Sequence, residues 1–320
     1  MGVIVTGGTG FIGAQVVRAL LKKGGEDVVV FDINPSTKLL DDVVDQVELV
    51  RGDLGNFSHV LNAVKAFRPR AVYHLGGMLS LPSDADHAAS FRSNAMGTFH
   101  VLEAARLFEV PQVLFSSTLT TYGLDIRESQ INDYTLQRPQ LFYGATKVFC
   151  EHMGLFYKRK FGIDFRGIRY PSVVGPGVKT PGVVQYNSWV IEKCAKGNPY
   201  TIYVKPDTRF PVIYFKDAAR AVIMLGEAPL DNIKMVNFVI AGATPVASAQ
   251  ELAAMVKERL PSAQISFKPD LKIQKIVENF LLPIDDSIAR GEWSWKPAYN
   301  QERIVDDFLE EMRLHPQRYA

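Results

Sequence analysis

Cysteine is scarce in this chain: its 320 residues include only Cys150 and Cys194. That excludes a disulfide scaffold, and the pair is not spaced as metal ligands. No apolar run reaches the ~18 residues that a membrane span needs. The amino end enters Gly-Val-Ile-Val-Thr-Gly-Gly-Thr-Gly directly, without a basic stretch or a cleavable apolar segment, so secretion is not expected. An excess of one charge is also lacking. Thirty-six basic residues against 34 acidic ones leave +2, with no block of like charge, so no nucleic-acid partner is signalled. The six histidines, His59, His74, His87, His100, His152 and His315, are scattered, and no metal site is expected. What is present is an ordinary globular composition, 47% hydrophobic and 22% charged, in a chain with length for about two domains. The expectation is a soluble cytoplasmic protein with a small-molecule substrate and no membrane partner.

The first half alternates between two periods. Short apolar runs at Gly2–Thr6, Val28–Ile33, Val47–Val50, Ala71–Leu75, Val113–Phe115 and Ile163–Ile168 read as strands. Between them, Phe11–Leu21, Phe57–Phe67, Asp84–Phe108 and Leu141–Lys160 repeat apolar residues at helical spacing. Near-continuous apolar strands separated by amphipathic helices predict an α/β fold, a doubly wound parallel sheet of Rossmann type, with its ligand beyond the carboxyl ends of the strands. After Pro171 the texture changes to Gly- and Pro-rich loops around helices at Val183–Ala195 and Ser248–Leu260 and a strand at Val236–Ile240. This predicts a cofactor domain over 1–171 and a smaller, interleaved substrate lobe over 172–320. The segment around 210–230, a strand entering a helix, is a candidate to return to the first domain.

Thr6-Gly7-Gly8-Thr9-Gly10-Phe11-Ile12-Gly13 joins the first strand to the first helix. Gly7 would permit a tight turn, Gly10 a close approach of backbone to a pyrophosphate, and Gly13 close helix packing. The helix amino end would supply oriented N–H groups. Alone, such a run is as often a turn without a ligand. Asp32 strengthens it, because it follows the second strand where an acid accepts hydrogen bonds from the adenosine ribose. A carboxylate there repels a 2′-phosphate, and neighbouring Ile33 and Asn34 offer no arginine, so NAD is favoured over NADP. Asp53, in Gly52-Asp53-Leu54, is placed to reach the adenine edge, although by itself it is a turn aspartate.

Tyr143 and Lys147 stand four apart, on one helix face. An ammonium beside a phenol favours phenolate and lowers its pKa toward that of a working base. With 12 tyrosines in the chain the spacing also arises by chance, and a surface helix contact explains it equally well. The third element is Ser116-Ser117-Thr118 at the end of the fifth strand, on the ligand side of such a sheet. A hydroxyl there would hold a substrate oxygen beside Tyr143.

Taken in order, the glycine turn, Asp32, Gly52-Asp53-Leu54, His74-Leu75-Gly76-Gly77, Asn94, Ser116-Ser117-Thr118 and Tyr143/Lys147 resemble the extended short-chain dehydrogenase/reductase superfamily, with its NAD-dependent epimerases, dehydratases and dehydrogenases. The resemblance implies that Tyr143 transfers the proton, Lys147 is its electrostatic partner, Thr118 takes the Ser/Thr position and Asn94 supports the active site. It places Gly7, Gly10, Phe11, Ile12, Asp32, Asp53, Leu54, Leu75, Gly76, Gly77, Asn94, Tyr143, Lys147, Tyr170, Pro171 and Val173 around NAD. Arg169-Tyr170-Pro171, Lys205 to Pro211, Asp217 to Ala221, Asp285 to Arg290 and Trp293 to Pro297 are similar to the short-chain type of L-threonine 3-dehydrogenase. That family puts Ser80, Thr118, Tyr143 and Val184 near the substrate, and it implies a homodimer built on the helices near 84–108 and 141–160.

Two departures bear on the substrate. The family loop reads Gly-Thr-Thr-Asp-Tyr where this chain has Gly182-Val183-Val184-Gln185-Tyr186, and Phe280-Leu281-Leu282 replaces a family tryptophan. A small β-hydroxy acid or alcohol with a more apolar substituent therefore competes with L-threonine. Arg209 is a candidate for an anionic group, or else for a structural ion pair. Two other readings stay open. One is a nucleotide-sugar epimerase or dehydratase, which uses the same Tyr/Lys pair. The other is a non-catalytic NAD-sensing protein, which would not need Thr118, Tyr143 and Lys147 together.

Overall fold

The computed structural model describes residues 2–34, 36–123, 125–180, 182–278 and 280–319. Its centre is a parallel sheet of seven strands: β1 (Val3–Thr6), β2 (Val28–Asp32), β3 (Val47–Arg51), β4 (Ala71–His74), β5 (Gln112–Thr118), β6 (Asp164–Tyr170) and β10 (Asn237–Val239). Their spatial order is β10-β6-β5-β4-β1-β2-β3. β1 and β4 are buried along their whole length, because helices cover both faces and every side chain meets apolar neighbours. The helices between these strands are α1 (Phe11–Lys23), α2 (Phe57–Phe67), α3 (Ser80–Ala85), α4 (His87–Ser90), α5 (Gly97–Leu107) and α6 (Phe142–Phe161). From β1 the chain first winds outward through β2 and β3, then returns to β4 on the other side. Between β1 and β4 the winding direction reverses, and the crevice beyond their carboxyl ends is where such a sheet takes its ligand.

The helix predicted across Asp84–Phe108 is broken. Asp86 ends α3 and caps α4, its carboxylate accepting from Ala89 N at 2.9 Å. A π-helical turn over Phe91–Met96 follows, before α5 resumes the ordinary repeat. Thr98 Oγ1 donates to Asn94 O at 2.7 Å inside this turn. A wider turn of this kind re-aims one side chain without ending the helix, and here that side chain is Asn94.

The carboxyl half builds two small parallel pairs, β7 (Ser172–Val174) with β9 (Val212–Tyr214) and β8 (Tyr200–Ile202) with β11 (Ile265–Phe267). Around them pack α7 (Tyr186–Ala195), α9 (Ala249–Arg259), α10 (Leu271–Glu278), α11 (Ser287–Trp293), α12 (Gln301–Leu314) and α13 (Pro316–Tyr319). Tyr186, Val190, Phe210, Phe280 and Phe308 are among the side chains that give this lobe its own core. From β9 the chain enters α8 (Phe215–Glu227), which packs on α1; Ala218, Ala219 and Val222 share a core with Val3, Val16 and Val17. β10 then pairs with β6, so the two halves interleave at the central sheet. Phe11 of α1 and Phe215 of α8 stack, 5.4 Å between centroids, at the seam. No described helix is long and apolar enough to cross a membrane.

Candidate active site

A cleft of about 480 Å³ opens at the β1/β4 switch, between the sheet's carboxyl ends and the lobe built after β7. One end is the glycine turn. Gly7 has φ +69°, which a side chain rarely tolerates, and Gly10 N donates to Gly7 O at 3.0 Å to close the turn. A Cβ on Gly13 would lie 2.0 Å from Gly7 O, so only glycine lets α1 seat on the turn. α1 begins at Gly10 without a side-chain cap and without an acid in its first turn. Its free N–H groups and partial positive charge therefore face the cleft.

The cleft's charge fits a pyrophosphate. Lys38, Lys147 and Lys179 line it, and among the described residues no carboxylate does. Gly10, Phe11 and Ile12 lie at the floor of this end. Asp32 stands just behind, with Oδ2 accepting from Thr9 N at 3.1 Å and Oδ1 from Asn34 N at 3.0 Å. Each oxygen keeps a lone pair, and Asp32 is bound to the turn it was expected to serve. Thr9, Asn34, Ser36 and Leu39 complete this wall.

At the other end, β5 delivers Thr118 and α6 delivers Tyr143 and Lys147. Thr118 ends its strand with extended backbone, and its Oγ1 lies 3.1 Å from Thr120 Oγ1. Tyr143 is almost fully buried. Burial holds its phenol well above the ordinary range, while hydrogen bonding with Thr118 works to lower it. Lys147 Nζ donates to Ser116 O at 2.8 Å and sits 5.7 Å from the Tyr143 ring centroid. Burial pulls its ammonium down to about 8. The expected lowering of the phenol by Lys147 is not found in the chain by itself, where desolvation dominates. Behind them His74 is buried and held at both ring nitrogens, by Thr6 Oγ1 at 2.8 Å and Thr98 Oγ1 at 3.0 Å. Burial, then the nearby Lys147 charge, push it down to about 3, so it stays neutral.

Leu75, Gly77, Ser80, Tyr170, Pro171, Val173 and Val184 also line the cleft. Asn94 stands one layer back. Its Oδ1 accepts from Met78 N at 2.7 Å and its Nδ2 donates to Met78 O at 3.1 Å and to Thr146 Oγ1 at 3.3 Å. It therefore pins the segment after β4 to α6. Gly76 and Leu54 are also in the second layer: a Cβ on Gly76 would meet Leu54 Cδ1 at 2.8 Å. Asp53 does not line the cleft; its Oδ1 accepts from Gly55 N at 2.8 Å, the turn role.

Arg209 does not meet the expectation that it faces the substrate. It is half exposed, pairs with Glu251 at 2.7 Å, donates to Val246 O at 2.7 Å and lies outside the cleft. Glu251 serves the capping box of α9, which draws the guanidinium there. Conversely, Leu141, Lys179 and Arg318 line the cleft without having been singled out; Leu79, Val183, Phe210 and Phe280 also line it, from stretches read for their likeness to or departure from the family. Phe210 and Phe280 pack as a pair, 6.4 Å between centroids. They come from two stretches about 70 residues apart, around 205–211 and 280–282, and the folded lobe brings them together.

A model of the "NAD dependent epimerase/dehydratase family" matches residues 3–241. The mitochondrial L-threonine 3-dehydrogenase of Bos taurus is 29% identical over 314 residues, covering 96% of this chain and 81% of the relative. The holo form of a GalE-like L-threonine dehydrogenase from Cupriavidus necator superposes with a TM-score of 0.88 at 28% identity, over 98% of this chain and all of that one. L-threonine dehydrogenase from Phytophthora infestans gives 0.88 at 29% identity, over 98% and 99%.

Proposed function

The chain belongs to the NAD-dependent epimerase/dehydratase family, and from that premise we propose that it oxidises the secondary alcohol of a small hydroxy acid or amino acid, with L-threonine the first candidate. It is an NAD-dependent enzyme. The observation that carries the substrate reading is the meeting of Thr118, Tyr143 and Lys147 in the same cleft as the glycine turn, beside a small, largely apolar wall.

The glycine turn and the start of α1 would hold the pyrophosphate of NAD, Asp32 its adenosine ribose, and Tyr170, Pro171 and Val173 would border its nicotinamide. Bound NAD would supply the hydride acceptor. Thr118 orients the substrate oxygen through a hydrogen bond, and Tyr143 in its phenolate form is the base that takes the hydroxyl proton. Lys147 in its charged form stabilises the phenolate and can reach ribose hydroxyls. Ser80 and Val184 border the substrate, and Asn94 keeps the walls in register. Functionally, residues 1–171 form the cofactor domain and 172–320 the substrate lobe, with the segment around 210–230 rejoining the first.

The test is NADH formation from NAD with L-threonine beside a panel of small 3-hydroxy acids and alcohols, for the wild-type chain and Tyr143→Phe. Net NADH formation with at least one panel member supports the reading, and isomerisation of a nucleotide sugar without net redox change would replace it. Tyr143→Phe should lose two to four orders of magnitude in turnover, on the order of a general base's contribution, while still binding NADH. Equal turnover in that variant sinks the mechanism.

We also propose a homodimer in a reducing compartment such as the cytoplasm. Support comes from exposed Phe91, Phe99, Leu107, Phe149 and Phe156 on the α4–α6 face, and from two cysteines that are buried and unpaired.

A further inference from the structure

The segment that follows β2 has little structure of its own. Among the described residues between Asn34 and Asp42 there is one 3-10 turn, Lys38–Leu40, yet Asn34, Ser36, Lys38 and Leu39 form the adenosine-side wall of the cleft. Side chains from elsewhere hold it. Arg18 of α1 donates to Asp42 Oδ1 at 2.9 Å and to Leu39 O. From 276 residues further along the chain, Gln317 Nε2 donates to Asp41 Oδ2 at 2.8 Å. Arg318 Nε meets Asp41 Oδ1 at 2.5 Å, and its Nη2 lies 3.0 Å from Asp42 Oδ2.

Arg318 is 3% exposed and lines the cleft itself. Its third partner is Glu311 of α12, at 3.4 Å. The next residue, Tyr319, donates through its hydroxyl to Glu311 Oε1 at 3.0 Å, and its ring lies against Gly177, where a Cβ would come within 2.9 Å of Cδ1. Gly177 belongs to the opposite wall. Lys196 of α7 holds Tyr319 O at 2.5 Å. The short helix α13 thus touches both walls of the cleft, the β2 segment through Arg318 and the Gly177 loop through Tyr319.

We propose that Arg318 is a positioning residue for the cofactor, holding the segment 36–42 against the carboxyl-terminal lobe so that the adenosine end of the cleft stays closed. The inference rests on NAD occupying this cleft. With three carboxylates around it, Arg318 is satisfied by protein groups and acts on the cofactor through the wall it fixes. Breaking the pairing frees a segment with few backbone hydrogen bonds, so the loss falls on cofactor retention and not on the chemistry at Tyr143.

Stopped-flow displacement of NADH, with steady-state kinetics in NAD, tests this on the full chain. Arg318→Ala should release NADH about tenfold faster and raise the KM for NAD by a similar factor, on the order of one strong charge-assisted contact. kcat at saturating NAD should hold or rise, where general damage to the fold would lower it. Arg318→Lys should fall between, because a single ammonium cannot pair with both aspartates in the forked geometry. Asp41→Asn with Asp42→Asn, at partly exposed positions, should reproduce Arg318→Ala, and the triple variant should add nothing further. This pair also carries the test if Arg318→Ala fails to fold. A wild-type release rate in both Arg318→Ala and the aspartate pair overturns the proposal. A wild-type chain that binds no NADH overturns the cofactor assignment on which it rests.

Discussion

Lys147 is buried in α6 with, among the described residues, one hydrogen bond, to Ser116 O, and the ring of Phe115 4.6 Å from its Nζ. Neither replaces the hydration an ammonium loses, which is why its pKa falls from 10.5 to about 8. Between those values the unfolded chain holds a proton that the folded chain has released. The unfolded state binds more protons in that window, so stability rises with pH across it, and the cost of the lysine is fully present below pH 8. Lys147→Met should therefore raise stability at pH 7 by about 2 kcal/mol, an order-of-magnitude figure for a shift of this size. The gain should shrink toward pH 10, while NADH formation falls a hundredfold or more. Thermal unfolding at pH 7 and pH 10 with parallel rate measurements checks both halves. A variant less stable than wild type at pH 7 would show that the ammonium is held by partners and not stored against a cost. A destabilising charge kept in a cleft beside Tyr143 is the pattern of a residue retained for chemistry.

At the scale of elements, the loop between β5 and α6 carries a comparable tension. Arg169 of β6 pairs with Glu151 of α6 at 2.7 Å and donates to Tyr122 hydroxyl at 2.7 Å and Asp133 O at 3.3 Å, while Ser117 Oγ donates to Glu151 at 2.5 Å. This buried cluster holds together the strand ends and helix that bear Thr118, Tyr143 and Tyr170. Asp133 completes it by accepting from Val239 N at 2.6 Å, but its Oδ2 has no hydrogen-bond partner among the described residues and burial lifts its carboxyl to about 6. The folded chain therefore keeps a proton that the unfolded chain has lost between about pH 4 and 6, and the penalty is complete above pH 6. Asp133→Asn should stabilise the protein at pH 8 by about 1–2 kcal/mol, with the gain gone by pH 4, as read from chemical denaturation at the two pH values. Equal effects at both would mean the change acts on packing alone. The cluster was not legible as a unit in the sequence: Ser117 and Arg169 lie in stretches read for other reasons, and Asp133 and Val239, for one pair, are 106 residues apart. The strands and main helices were legible, because hydrophobic period survives folding: α2 ends where the pattern ends. The break at Asp86 and the π turn around Asn94 were not, because Asp86 caps and Asn94 reaches Met78 only once β4 and α6 are in place. The same reason separates Thr118, Tyr143 and Lys147, found by position, from Phe210, Phe280 and Arg318, which enter the cleft by tertiary placement. Arg209 shows the converse: a basic residue beside a recognisable motif, drawn away by the cap of α9.

For the whole molecule, the cleft faces one way and an uncovered apolar face another. Phe149 and Phe156 are 49% and 56% exposed on α6, and rings continue from them: Phe91 lies 6.3 Å from Phe149, and Phe161 lies 6.0 Å from Phe156. Phe99 and Leu107 of α5 extend the same kind of surface. Monomeric proteins rarely leave so many large apolar side chains on adjoining helices in water, and a self-complementary pairing about a twofold axis is the common solution. On the buried side of α6, Tyr143, Lys147 and Glu151 face the cleft and the Arg169 cluster, so a partner on the outer face would stiffen the helix that presents them. Phe149→Glu with Phe156→Glu places two carboxylates where a second copy would have to bury them, at a cost that outweighs the remaining contacts. Sedimentation should give the wild-type chain a dimer mass at micromolar concentration and the double variant a monomer mass. Both substitutions are on exposed positions, so the monomer should still fold and bind NADH, and its turnover should fall by several-fold as α6 loses its support. A wild-type chain that stays monomeric at about 100 μM, well above the micromolar upper end for interfaces of standard size, would leave this face without a partner copy.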